Sequence, residues 1–325
     1  MNILVITHIY PSIESPSQGT FIKNQIDSIL KNKSIHVDLM IIKGPRILKY
    51  LKAIAKVFML NFNKRYAIVH AHYGFSGVVA RFQFRSPVIV SFLGSDLLGS
   101  HGRIFIKTVY SRFIVLVSRM LSGLISNSIV KSDEMNAIIG FKGYVIPNGV
   151  DLKLFKPLEK SYCRKLLGLD SKKYIVLSLA NSERFPKRID LINGAITILQ
   201  KKNEKIEFLN PNSISHQMVP LYMNAADVYV LPSHSEGSPN VIKEALACNC
   251  PVVATDVGDV YKLINGIENC YLCNHDSEDI ADKIKKVILS NRISNGRKRI
   301  IELGLDIESV ANQIVDVYSK TLSKR

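Results

Sequence analysis

A chain of 325 residues has room for two domains of about 150 residues each, and 47% apolar residues supply full cores, which excludes a disordered chain. No run of about 18 apolar residues occurs, so no membrane span is expected. The opening Met1-Asn-Ile-Leu-Val-Ile-Thr7 lacks the basic region and cleavage site of a signal peptide, which points to the cytoplasm. The net charge of +16 is uneven: residues 1–150 carry 18 Lys and Arg against 6 Asp and Glu, so the first half calls for an anionic partner such as nucleic acid, lipid head groups or a phosphorylated substrate.

Ile3-Leu-Val-Ile6 reads as a buried strand, and Gly19-Thr-Phe opens a helix over residues 22–30. A glycine there suits either a plain turn or a close backbone approach to phosphate. A second strand covers residues 36–42. Residues 46–65 then place apolar side chains at helical spacing with Lys49, Lys52, Lys56, Lys64 and Arg65 between them. That basic amphipathic pattern fits a helix lying on an anionic membrane, or an ordinary surface helix with solvated lysines. The next strand ends in Ile68-Val-His70-Ala-His72, with both histidines on one side. They have no third ligand nearby, so a metal is not expected.

Residues 87–92 form another strand, leading into Leu93-Gly-Ser-Asp96. Residues 103–119 are again basic and apolar: too charged to span a bilayer, they suit its head-group layer or a buried helix with snorkelling arginines. A strand at residues 123–126 and a helix at 128–139 complete the first half.

In the second half a helix at 160–167 and a strand at 174–179 precede Ala180-Asn-Ser-Glu-Arg184-Phe-Pro-Lys187-Arg188. Arg184 and Lys187, three apart after a strand, make a reasonable diphosphate clamp, with Arg188 as a substitute for Arg184. A helix over 189–201 and a strand over 205–209 follow. Ala226–Leu231 is a buried strand, Ser238 a helix N-cap with Pro239 at the first helical position, 240–248 the helix, and Val252-Val-Ala-Thr255 a second strand. Ligands belong at the carboxyl ends of such a strand–helix–strand unit. Ser238, Pro239 and Asn240 mark the helix start, where free backbone N–H groups favour an anion, Pro239 itself having none to give. Glu236 lies in the loop beside that start, and Glu244 on the helix among apolar neighbours. Cys248-x-Cys250 and Cys270-x2-Cys273 have zinc-like spacing, but small buried residues in a reduced compartment are the better reading. Helices over 276–289 and 306–322 end the chain.

Glu236-Gly-Ser-Pro-Asn-Val-Ile-Lys-Glu244 resembles the Glu-x7-Glu signature of the retaining sugar-nucleotide glycosyltransferases of family 4. Met223-Asn-Ala-Ala-Asp227 and Gly258-Asp259 match one branch of that family. The resemblance implies a GT-B fold: two doubly wound α/β Rossmann-like domains facing across a cleft, residues 1–150 for the acceptor and 151–305 for the nucleotide sugar. The last helix, 306–325, is expected to cross back to the first domain. It further implies that Arg184, Lys187 and the helix start at 238–240 hold the donor diphosphate, with Gly19 in a loop closing on it. Glu244 takes the ribose, Glu236 the sugar near the reacting face, and His70 and His72 the acceptor side. Leu93 replaces the usual histidine of a His-Gly-x-Asp motif, which leaves Asp96 to bind a sugar hydroxyl. The expected reaction is retaining and metal-independent, with no cofactor and a UDP- or GDP-linked sugar as co-substrate. A polyprenol-diphosphate-linked glycan at the inner membrane face is the expected acceptor, within cell-surface polysaccharide synthesis. Nucleic acid is not expected, because the aromatic residues do not interleave with the basic ones as in a recognition module.

Overall fold

The computed structural model describes residues 1–13, 15, 18–45, 48–99, 105–179, 187–202, 205–211, 214–290 and 292–324, with the side chains of 105–108 left aside. The chain forms two compact units, Met1–Gly149 with Ile307–Arg325, and Val150–Asp306.

The first unit alternates strand and helix: β1 (Asn2–Thr7), α1 (Thr20–Ile29), β2 (His36–Ile41), α2 (Leu48–Asn63), β3 (Ile68–His72), α3 (Gly74–Ala80), β4 (Val88–Ser91), α4 (Phe105–Ser122), β5 (Asn127–Val130), α5 (Asp133–Ile138) and β6 (Gly143–Val145). Its strands pair in parallel in the order β2-β1-β3-β4-β5-β6, so the order reverses between β1 and β3. Helices cover both faces, which is why the central strands β3 and β4 are buried on both sides. One core layer joins α2, α3 and α5 to the sheet through Val57, Val79 and Met135.

The strand expected at 123–126 is a turn, and β5 begins at Asn127. Ser132, expected inside a helix, instead caps α5 by accepting the amide of Met135, with Asp133 and Glu134 favourably placed in the first turn.

The second unit contains α6 (Lys160–Leu167), β7 (Tyr174–Leu177), α7 (Ile189–Lys201), β8 (Ile206–Leu209), α8 (Val219–Ala225), β9 (Val228–Leu231), α9 (Asn240–Ala247), β10 (Val252–Thr255), α10 (Val260–Ile264), β11 (Tyr271–Cys273), α11 (Ser277–Ser290) and α12 (Gly296–Glu302). Its parallel sheet has the order β11-β10-β9-β7-β8, reversing between β7 and β9. Asp227, just before β9, binds Arg164 Nη2 and the Ile175 amide at 2.6 Å each and Lys160 Nζ at 2.9 Å, tying α6 to the sheet. The cysteines at 248, 250, 270 and 273 are unpaired, and burial pushes their thiols up. No cluster of three or more metal-ligating side chains occurs among the described residues.

The last helix, α13 (Ile307–Leu322), belongs to the first unit. Val310, Ile314 and Val317 pack on Ile3, Val5, Ile22 and Ile26, on the sheet face opposite α2 and α4. No described helix is long and apolar enough to cross a membrane.

Candidate functional site

In the second unit the polar groups converge at the carboxyl ends of the strands around the β7/β9 reversal. Glu236 lies in the loop after β9, and its Oε1 pairs with Lys187 Nζ at the start of the segment leading into α7. Both side chains are largely buried, so the contact takes place in a setting where charge is poorly screened. Glu244 is 9% exposed on α9, and its Oε1 binds His216 Nε2 at 3.0 Å. His216 stands edge-on to Phe155, with ring centroids 5.2 Å apart. Burial works to lower the His216 pKa, but the hydrogen bond and charge of Glu244, with Asp151, raise it above its usual value. The Oε2 atoms of both glutamates make no hydrogen bond among the described residues.

Ser238 is not the N-cap of α9. Pro239, extended at φ −69° and ψ 113°, occupies that position and gives the helix no side-chain cap. The helix therefore starts at Asn240, and its N-terminal end carries the partial positive charge that attracts an anion. The Ser238 hydroxyl instead donates to Asp259 Oδ2 at 2.7 Å and accepts from Lys243 Nζ at 2.9 Å. Lys243 is 1% exposed, and burial pushes its ammonium down to about 8 against the pull of Asp259 and Glu244. Burial raises Asp259, with Lys243 opposing. This chain braces the loop after β9 against the turn after β10. Gly258 tightens the brace: a Cβ there would lie 2.4 Å from Gly237 O and 2.6 Å from Glu236 O, at φ +60°.

Four buried polar atoms around these strand ends lack a partner among the described residues: Ser178 Oγ after β7, Asn210 Oδ1 after β8, Ser233 Oγ after β9 and Asp259 Oδ1 after β10. Orphaned atoms gathered at one edge of a sheet are what a polar ligand would satisfy. Arg184 lies outside the described residues. Arg188, its expected substitute, is committed elsewhere: Nε and Nη2 grip Asp190 at 2.8–3.1 Å and Nη1 meets His234 Nε2 at 2.8 Å.

In the first unit the expected residues also lie at strand ends, in different settings. His70 is fully buried, with Nδ1 2.7 Å from the Tyr318 hydroxyl of α13 and Nε2 2.8 Å from Ser91 Oγ, so both ring nitrogens are engaged inside the core. His72 packs on it at 4.5 Å between centroids and keeps both nitrogens buried without a partner among the described residues. Burial holds His70 down at about 3 and His72 well below its usual value, so both imidazoles are neutral. Asp96 is also fully buried. Its Oδ1 accepts the amides of Leu93 and Gly94 at 2.9 Å, and its Oδ2 that of Gly74 at 3.1 Å, so it pins the loop after β4 to the start of α3. Burial lifts it to about 6 although those amides pull it down. Gly19, at φ +75°, opens α1 with its Cα against the Ile9 carbonyl.

The sequence reading missed His216 and Lys243. Nothing in the spacing of His216 marks it, since it reaches Glu244 across 28 residues of chain. Lys243 did carry a signal: a charge inside the apolar Val241–Leu246 run, on the inward side of a short helix.

The match to a known domain falls on this second unit. Residues 188–290 carry a glycosyl transferases group 1 domain. It contains both glutamates, Lys243 and the Ser238–Asp259 brace. Over longer stretches the chain is similar to TuaC of Bacillus subtilis (strain 168), whose name makes it a glycosyltransferase of teichuronic acid biosynthesis, at 26% identity across 88% of this chain and 89% of that one. It is also similar to the UDP-Gal:alpha-D-GlcNAc-diphosphoundecaprenol alpha-1,3-galactosyltransferase of Escherichia coli, at 23% identity across 84% and 80%. Among solved structures, the sucrose-phosphate synthase of Thermosynechococcus elongatus matches 100% of both chains with a TM-score of 0.81 at 22% identity. The two parallel-sheet units thus have the GT-B fold.

Proposed function

We propose that this chain is a retaining, metal-independent family 4 glycosyltransferase that moves a sugar from a UDP- or GDP-linked donor to a polyprenol-diphosphate-linked glycan, in cell-surface polysaccharide synthesis at the inner face of the membrane. The observation that carries the reading is the pair Glu236 and Glu244, held at the carboxyl end of β9 by Lys187 and His216, each with an oxygen to offer. The E. coli relative, by its name, uses UDP-galactose and a diphosphoundecaprenol-linked acceptor, which supports the donor and acceptor classes.

In this reading the bond from the anomeric carbon to the diphosphate breaks, its electrons leave with the diphosphate, and the acceptor oxygen bonds to the same carbon. Its proton passes to the departing phosphate oxygen. Lys187, the start of α9 and Arg184 stabilise the charge that grows on the diphosphate. Glu244 Oε2 takes the ribose hydroxyls while His216 fixes its orientation. Glu236 holds the sugar, releasing part of its contact with Lys187 to the donor.

The test is thermal stabilisation by UDP, GDP and ADP at about 100 times the Kd, which adds about 2.7 kcal/mol. One nucleotide should stabilise wild type and not Glu244→Ala. No shift from any of the three would refute the donor assignment.

A further inference from the structure

We propose that the outer face of α2, α4 and the loop after α3 is a docking surface for an anionic lipid bilayer. The inference deepens the proposed function, whose lipid-linked acceptor gives such a surface its purpose.

Both helices carry apolar side chains on their outer as well as their inner faces. In α4 the buried positions include Ser111, Ile114, Ser118 and Leu121, while Tyr110, Phe113, Leu116 and Met120 lie 54–65% exposed along one outer stripe. In α2 the buried stripe is Ala53, Val57 and Asn61, and Leu51, Phe58, Met59 and Phe62 point out. A helix that served only to cover the sheet would carry polar side chains on its outer face. The stripes run the length of helices about 24 Å and about 27 Å long. They meet at the loop after α3: Phe58 stacks edge-on to Phe62 and Phe84, at 5.6 and 6.2 Å, and Arg81 Nε binds the Leu124 carbonyl at 2.9 Å. Contiguous apolar surface on this scale marks an interaction site.

Charge selects the occupant. Between residues 39 and 132 the sequence has 14 Lys and Arg and a single acid, Asp96, which is fully buried and consumed by backbone amides. Lys52, Lys56, Arg65, Arg112 and Arg119 are exposed among the outward apolar side chains. Apolar residues ringed by cations, with one exposed acid at the edge, Asp38, already paired to Lys64, match acyl chains beneath anionic head groups. A protein partner would have to bring a strongly acidic apolar face, and a second copy docking by this same face would bring only like charge.

The experiment is co-sedimentation with vesicles of phosphatidylcholine mixed with phosphatidylglycerol, and of phosphatidylcholine alone. Wild type should bind the mixed vesicles, and binding should fall at about 0.5 M salt. Phe62→Glu/Phe113→Glu and Lys52→Glu/Lys56→Glu should each weaken it at least about tenfold. These positions are exposed, and an unchanged circular dichroism melt verifies the fold. Failure to bind mixed vesicles, or equal salt-independent binding to both kinds, overturns the proposal. So does a wild-type dimer that Phe62→Glu/Phe113→Glu converts to monomer by light scattering. Nucleotide stabilisation is read separately, without vesicles: a chain that binds nucleotide but no vesicles loses only this surface, and one that binds vesicles but no nucleotide keeps it.

Discussion

Replacing Gly258 by alanine tests whether the brace between the loops after β9 and β10 sets the position of Glu236. A methyl group there would meet Gly237 O at 2.4 Å and Glu236 O at 2.6 Å, where anything under 3.0 Å forces a shift. The neighbours are backbone carbonyls, so the loop itself has to retreat, by about 0.6 Å or more, taking the Glu236 carboxylate with it; displacements approaching 1 Å cost about 100-fold in rate. The left-handed conformation adds about 1–2 kcal/mol of strain for any L residue. Gly258→Ala should therefore lose about 10–100-fold in kcat/KM for donor turnover and about 2–3 kcal/mol of stability. Gly168→Ala is the control: at φ +66° it bears the same kind of strain, yet its Cβ meets nothing within 4 Å. It should lose about 1 kcal/mol and no turnover. Equal turnover in the two variants, measured beside denaturant melts, would refute the argument that close approach rather than strain decides the matter.

Two further outcomes follow from buried charge. Asp227→Ala leaves the Arg164 guanidinium, whose side chain is 9% exposed, without its carboxylate; it should cost about 3 kcal/mol, at the low end for a broken buried pair because three carbonyls still accept from Arg164. A denaturant midpoint that barely moves would show the pair to be dispensable. His216, whose pKa is raised in the fold, contributes stability that is fully present below its ordinary 6.5 and lost as pH rises through the raised value. The advantage of wild type over His216→Gln in thermal melts should accordingly shrink from about pH 5.5 to about pH 8.5; an advantage that grows with pH would contradict the pairing with Glu244.

Much of the fold was legible because doubly covered parallel strands must be apolar on both sides, so runs such as Val88–Ser91 and Val252–Thr255 announce themselves. Where two apolar tetrads stood together, as at 123–126 and 127–130, composition could not choose; the Ser132 cap decides in favour of the second. The pattern of α4, apolar nearly all round, did not say which side turns inward, since that depends on what the sheet beneath leaves room for; Ser111 and Ser118 went in beside Ile114 and Leu121. Glu236 and Glu244 were legible as a pair on one strand–helix unit. Their partners were less so: Lys187 came from a loop three residues after Arg184, whereas His216 approaches from a segment that no local rule links to α9. His70 and His72 looked equivalent by alternation, yet the Tyr318 hydroxyl, contributed 248 residues later, occupies one and leaves the other unpaired among the described residues.

That same hydroxyl fixes an order of events during synthesis. The first unit is built from both ends of the polypeptide, whereas Val150–Asp306 is continuous. While the ribosome is still making the second unit, Ile3, Ile22 and Ile26 have no α13 to cover them and His70 has no phenol. The portion translated first is thus finished last, and the nascent chain must carry a half-open sheet, sticky along one face, through the emergence of about 160 further residues.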